Sequence, residues 1–363
     1  MSHIEYMARA ISLAKKGLYT TDPNPRVGCV LVKDGKIVGE GFHRKAGEGH
    51  AEVNALRMAG DQAIGATAYV TLEPCSHFGR TPPCSDGLIK AGVSEVVCAM
   101  KDPNPQVSGQ GFAKLEAAGI KVTQGVLEQQ ARLLNPGFIK RMETGLPFVR
   151  LKMASSLDGR TAMQSGESKW ITGSAARADV QRLRARSSAV ITGISSILHD
   201  DSSLTVRANE LGFEDSEYAD FIASRQPLRV ILDSHGRLPK TAKVLQQKGD
   251  TLVVVKHGVQ VHVGADVLPL DADDSGLDLH SLLKELASRQ CNEVLVETGA
   301  TLAGQFIDKE LVDEMVLFMA PCLMGSNARP LLHLPIDTMS DKHNLNIVDT
   351  RMVGDDIRLT IQF

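Results

Sequence analysis

Apolar residues recur at helical spacing near the start of the chain. Ile4, Met7, Ala8, Ile11 and Ala14 share one face, which predicts a surface helix over 3–16 ending near Gly17. The period then changes. Two apolar runs in VGCVLVKDGKIVGEGFH flank Asp34-Gly35, a dipeptide suited to a tight hairpin turn because both positions must accept positive φ. Downstream the pattern alternates: helix 50–59, strand 67–72, helix 84–91, strand 94–100, helix 110–118 and strand 120–122. Such alternation builds one layered α/β domain of about 125 residues. Pro136-Gly137 and Gly145-Leu146-Pro147 then act as breakers, and the domain boundary is expected near 145, giving units 1–145 and 146–363.

Beyond the boundary β-rich runs recur: FVRLKMA, SAVITG, LRVILD, TLVVVK, EVLVE, EMVLFMA and IRLTIQF. Helical patterns at 174–187, 278–290 and 300–310 separate several of them, so this second unit also reads as α/β, with its last strands antiparallel. The polar stretch 209–226 reads as a surface excursion.

Composition narrows the function. A chain of 363 residues with 43% hydrophobic side chains suits two domains and buries sizeable cores without disulfides. A net charge of -3 gives no global drive towards nucleic acid or anionic membranes, and 4% aromatics leaves little material for base stacking. The amino-terminal helix lacks the continuous apolar core of a signal peptide, and no apolar run is long enough to span a bilayer. Cysteines 29, 75, 84, 98, 291 and 322 in such a chain point to a reduced cytoplasmic protein, in which paired cysteines mean metal or catalysis. The expected partner is a small molecule rather than nucleic acid or membrane.

The candidate chemistry lies in GEGHAEVNALRMAG and YVTLEPCSHFGRTPPC. His50, Cys75 and Cys84 supply one nitrogen and two sulfurs, the donors zinc prefers, and leave its fourth position for water. Cys84 opens a predicted helix, whose N-terminus favours the thiolate. Glu52, two residues after a ligand, is placed to carry a proton from that water to a departing amine. The set follows the H-x-E then P-C-x-x-C pattern of zinc nucleobase deaminases through His50-Ala51-Glu52 and Pro74-Cys75, but eight residues rather than two separate Cys75 from Cys84. The plain alternative makes both cysteines buried small hydrophobes, as Cys29 and Cys98 are expected to be. A closed structural zinc site would need a fourth protein ligand, and a nucleic-acid deaminase would want a basic channel.

The long spacer is informative. EPCSHFGRTPPC, with PNPRVGCV at 23–30, GHAEVNAL at 49–56, DPNPQVSGQG at 102–111, SSLDGRTA at 155–162, SKWITG at 168–173 and DDSSLTVR at 200–207, resembles the bifunctional deaminase–reductases of riboflavin biosynthesis. The likeness runs in order through nearly the whole chain. It implies a cytidine-deaminase-like three-layer α/β/α domain followed by a dihydrofolate-reductase-like α/β domain. It further implies zinc-dependent hydrolytic deamination of a pyrimidinone bearing a ribosylamino 5′-phosphate, then NADPH-dependent reduction of its ribose to a ribityl chain. Asn24, His43, His77, Asp102 and Asn104 fall in matching motifs, where they would orient base and sugar phosphate. The bland alternative for Asp102-Pro103-Asn104-Pro105 is a simple turn.

For the second half the resemblance implies a cofactor region at Ala154, Trp170, Ser196, Asp200, Ser234 and the turn Gly299, Ala300, Thr301, Leu302, Ala303, Gly304 and Gln305. Its substrate side would be Ser168, Arg184, Leu204, Arg207 and Glu297. The residues themselves give a partial rationale. A strand ends at Glu297 before a glycine turn and a helix start, whose N–H groups receive phosphate, and Gly299 and Gly304 would let the backbone approach closely. The turn is not G-x-G-x-x-G, so a Rossmann site is not indicated. Arg184 and Arg207 suit bidentate phosphate binding, although RLRAR also fits a solvated basic face, Asp200 a turn cap and Trp170 ordinary core. Ser202 and Ser196 stand where the family usually has proline and threonine. Reductase domains of this kind commonly pair, so a homodimer or higher homo-oligomer is expected.

Overall fold

A computed structural model describes residues 2–78, 82–105, 107–273 and 276–363. The chain forms two compact units, Met1–Leu146 and Pro147–Phe363.

The first unit runs α1 His3–Ala14, β1 Gly28–Lys33, β2 Lys36–Phe42, α2 Ala51–Ala59, β3 Thr67–Val70, α3 Cys84–Lys90, β4 Glu95–Cys98, α4 Gln110–Ala117, β5 Lys121–Thr123, α5 Glu128–Arg132 and α6 Pro136–Thr144. Its sheet order is β2-β1-β3-β4-β5, with β1 antiparallel to both neighbours and β3, β4 and β5 parallel. Asp34 and Gly35 both take positive φ at the β1–β2 turn, as that dipeptide predicts. The strands alternate between two cores. Val30 and Val32 pack with Met7, Ala10, Ile11 and Ile139 on one face, while Cys29 and Leu31 pack with Ala51, Ala55, Leu88 and Leu115 on the other. Helices therefore cover both faces, and the three-layer expectation holds. Of the two breakers, Gly145 does end α6 at a positive φ, whereas Pro136-Gly137 differs: Pro136 opens α6, because proline at the first helical position lacks only an N–H that would be unpaired anyway.

The second unit contains β6 Phe148–Ser156, β7 Arg160–Ala162, α7 Ser174–Arg186, β8 Ala189–Gly193, α8 Ile194–Asp200, α9 Ser216–Ala223, β9 Leu228–Leu232, β10 Thr251–Lys256, β11 Asp266–Leu270, β12 Ala272–Asp273, β13 Gly276–Leu277, α10 Leu279–Ser288, β14 Glu293–Glu297, α11 Ala300–Asp308, β15 Glu314–Ala320, β16 Arg329–Pro330, β17 Asn346–Val353 and β18 Asp356–Gln362. Nine strands form one sheet in the order β11-β10-β9-β8-β14-β6-β15-β18-β17. All neighbours are parallel up to β15, and β18 and β17 are antiparallel. Consecutive residues of β8, β10 and β14 are buried, so both faces are covered and those strands read as continuous apolar runs. The stretch 209–226 is more than an excursion: Leu211, Ala219 and Ile222 are buried, and α9 lies within it.

Polar groups at the two ends of this sheet differ. At the amino ends of β6, β14 and β15, Arg150 is buried against Glu293 and Glu314, and Arg186 also reaches Glu293. The carboxyl ends hold the candidate site.

Candidate active sites

His50 caps α2 in an extended conformation, Cys75 sits in the turn after β3, and Cys84 is the first residue of α3. Helix α2 can lie against β2 because Gly41 has no side chain; a Cβ there would meet the Ala51 carbonyl oxygen at 2.3 Å. His50 Nδ1 lies 3.2 Å from Cys84 Sγ and 3.7 Å from Cys75 Sγ. Tetrahedral zinc with bonds of ~2.0–2.3 Å separates neighbouring nitrogen and sulfur ligands by about 3.5 Å, between the two separations seen here, so the three donors suit a shared ion. Among the described residues this is the cluster of His, Cys, Asp or Glu side chains close enough to share a metal.

The electrostatics prepare the donors. Cys75 is held as a thiolate by hydrogen bonding from Cys84, against the cost of burial and with help from His50 and the Cys84 N–H. Of the pair, Cys84 is the one that keeps its proton, because it hydrogen-bonds the Cys75 sulfur and is buried. A bound cation removes that proton as well. Glu52 is 3% exposed, and burial followed by the neighbouring Cys75 charge pushes its carboxyl up to about 7. Cys29 and Cys98 are fully buried beneath it as small core residues, as expected.

Around this centre, the Asn24 amide donates to His43 Nε2 at 3.1 Å, which leaves His43 Nδ1 to donate to the Gly49 carbonyl at 3.2 Å. Burial lowers the His43 pKa, so the ring stays neutral and the turn before His50 is fixed. Asp102 caps its own loop by accepting the Asn104 N–H at 2.8 Å; burial pushes its carboxyl up to about 6 despite that bond. His77 is exposed, and residues 79–81 of the same motif lie outside the described residues.

In the second unit the candidates collect at the carboxyl ends of parallel strands, where open α/β sheets bind ligands. Ala154 lies near the end of β6, Ser196 and Asp200 in α8 after β8, Ser234 after β9, and Glu297 and Gly299 at the end of β14. The Gly299 position is open: a Cβ there would meet nothing within 4 Å, and the residue caps α11 without a side-chain bond. Gly304 acts differently from expectation: a Cβ there would meet the His333 carbonyl oxygen at 1.9 Å, so it admits a chain segment rather than a ligand. Ala303 is likewise buried, while Ala300, Thr301, Leu302 and Gln305 keep some exposure. Trp170 is 71% exposed with the Arg177 guanidinium over its ring, which excludes the core reading, and Ser168 is half-buried beside it. Lys169 reaches Asp200 through its ammonium.

The two arginines are already engaged. Arg184 forms a bidentate pair with Glu297 at 2.6 and 2.9 Å, both nearly buried, so the solvated-face reading fails. Arg207 pairs with Glu210, at 2.6 Å for each bond, and is more exposed. Leu204 takes a positive φ and the residue is only 3% exposed, so it sits within the unit beside the more exposed Arg207. Reading by residue type missed Lys152, which pairs in register with Glu297 across β6 and β14. Burial lowers its pKa despite the Glu297 charge, and Arg184 lowers it further. The signal was present in the sequence: one lysine inside the apolar run FVRLKMA.

The family described as "RibD C-terminal domain" matches residues 147–359, and "Cytidine and deoxycytidylate deaminase zinc-binding region" matches residues 1–100. The riboflavin biosynthesis protein RibD of Escherichia coli is 50% identical over 357 residues, covering 98% of this chain and 97% of that protein. The chain belongs to the RibD family. A RibD of Haemophilus influenzae is 50% identical over 358 residues, with 98% and 96% covered. Among solved structures, Acinetobacter baumannii RibD form 1 has TM-score 0.91 at 50% identity, covering 99% of this chain and 98% of that one. A Thermotoga maritima protein named as a diaminohydroxyphosphoribosylaminopyrimidine deaminase/5-amino-6-(5-phosphoribosylamino)uracil reductase has TM-score 0.86 at 35% identity over the same shares. As a RibD-family member the chain is a bifunctional enzyme of riboflavin biosynthesis, a zinc-dependent deaminase joined to a reductase.

Proposed function

We propose that the first unit hydrolyses the amino group of diaminohydroxyphosphoribosylaminopyrimidine and that the second reduces the resulting 5-amino-6-(5-phosphoribosylamino)uracil at its ribose. The observation that carries the first step is the convergence of His50, Cys75 and Cys84 on one point with the buried Glu52 beside them. When bound there, zinc supplies Lewis acidity that brings the pKa of water to roughly 7. Glu52 takes the proton of the attacking water and delivers it to the departing nitrogen; water adds, ammonia leaves, and a ring carbonyl remains. Asn24, Asp102 and Asn104 orient the base and sugar phosphate.

In the second step NADPH supplies the hydride. The α11 turn from Gly299 to Gln305, with Ala154, Ser196, Asp200, Ser234 and Trp170, holds the cofactor at the carboxyl edge of the sheet. Ser168, Leu204 and Arg207 hold the substrate, and Arg184 keeps Glu297 ionised and aimed. The test follows ammonia release and NADPH loss together from the first substrate. Matched amounts, ammonia first, support both halves; ammonia without NADPH loss would remove the reductase reading, and neither signal from zinc-loaded protein would remove the substrate.

Six free cysteines suit a reducing compartment, and we place the reaction in the cytoplasm. Among the described residues no helix is long and apolar enough to cross a membrane. Two chains are inferred to pair through β17, an edge strand whose Ile347, Val348 and Met352 are exposed. A Val348→Lys chain sedimenting as wild type would overturn that pairing.

A further inference from the structure

Glu73 is 4% exposed, and its carboxylate is turned to a neighbouring segment of main chain. Among the described residues it accepts three backbone N–H groups: Asp102 at 3.1 Å and Gly109 at 2.9 Å on Oε2, and Gly111 at 2.9 Å on Oε1. All three donors belong to the segment 102–111 that follows β4. Glu73 itself precedes Pro74 and the metal ligand Cys75, and its own N–H donates to the Met100 carbonyl at 3.0 Å. A second contact binds the same two segments: a Cβ on Gly111 would lie 2.1 Å from the Pro74 carbonyl oxygen. A buried carboxylate is costly unless its lone pairs are met, and here they are met by one loop. The loop in turn presents Asp102 and Asn104.

We propose that Glu73 is a positioning residue of the deaminase, whose carboxylate fastens the loop carrying Asp102 and Asn104 to the turn carrying Cys75. The distance between the metal and the substrate-orienting groups is thereby fixed by the protein. This inference rests on the reading that Asp102 and Asn104 face the substrate. Glutamine cannot replace Glu73: its single carbonyl oxygen can serve one side of the bond set, and its NH2 then meets an N–H on the other.

The test uses the full-length, zinc-loaded Glu73→Gln chain. Metal content reports whether the unit is folded, since the ligands come from three segments. Expected are unchanged zinc, unchanged NADPH oxidation with the deaminated substrate, a kcat for ammonia release within a few-fold of wild type, and a KM raised about tenfold or more, the scale of one lost hydrogen bond to a charged group. Gly111→Ala should reproduce the KM rise without removing a charge, and it decides the matter should Glu73→Gln fail to fold. A fall in kcat at unchanged KM, with zinc retained, would overturn the proposal by assigning Glu73 to the metal turn. Asn104→Ala separates the two layers. If it raises KM while Glu73→Gln does not, the Glu73 role alone fails; if it leaves KM unchanged, the substrate-facing reading fails and takes this proposal with it.

Discussion

The two sites are built in opposite ways. The deaminase centre draws its candidate ligands and its proposed proton carrier from His50 to Cys84, and each is proposed for the chemistry of its own side chain. The reductase candidates are spread from Ala154 to Gln305 over several strand ends and the helices that follow them. Metal binding and proton transfer demand particular residue types, so they mark a sequence strongly. Holding a cofactor demands a shape and a set of N–H groups, which many sequences provide.

The strongest challenge to that contrast is to alter the residue with the most specific role. Glu52→Gln should lower ammonia release about 10²–10⁴-fold, the usual share of a positioned acid–base group. Zinc content and NADPH oxidation of the deaminated substrate should stay at wild-type values. A near-normal deamination rate would show that the buried carboxylate is not the proton carrier.

Arg184→Ala tests the other unit, where the same side chain serves stability and function. It would leave the buried Glu297 carboxylate without its bidentate partner, a loss of about 3 kcal/mol on the scale of broken buried pairs. Reduction should fail while ammonia release survives. Burial favours the neutral form of Glu297, but the Arg184 charge and hydrogen bonds outweigh it, so the folded pKa lies below the ordinary 4.5. The pair therefore stabilises fully above that value, and its contribution fades as pH falls through the lower folded value. Thermal unfolding across acidic pH should show this limb in the wild type and not in Arg184→Ala. Equal acid sensitivity in both would place the pair outside the stability of the unit.

The alternation of the first unit, its hairpin and its metal donors were legible because period, turn chemistry and ligand type each leave a local mark. Arg184 against Glu297 was not, since the partners are 113 residues apart and RLRAR alone fits a surface equally well. Lys152 was visible as a lysine within an apolar run, but its meaning comes from register with Glu297, which the local sequence does not give. Gly304 looked like a phosphate-turn glycine because nothing local reveals the His333 carbonyl packed on it.

The stretch 209–226 offers the smallest and most direct test of what local reading misses. Its polar composition reads as an excursion, yet Asp215 caps α9 by accepting the Tyr218 N–H at 3.0 Å. The segment ends at Gln226, whose side chain accepts the Val206 N–H and donates to the Val206 carbonyl, both at 2.9 Å. It thus braces the backbone between Leu204 and Arg207. Asp215→Ala should cost about 1 kcal/mol, as a lost N-cap does, and lower the melting temperature by a few degrees with both activities intact. No change in melting would mean that α9 adds nothing to the fold. A selective rise in the reductase KM would mean that the cap reaches the Arg207 backbone through Gln226, and that the segment belongs functionally to the site it borders.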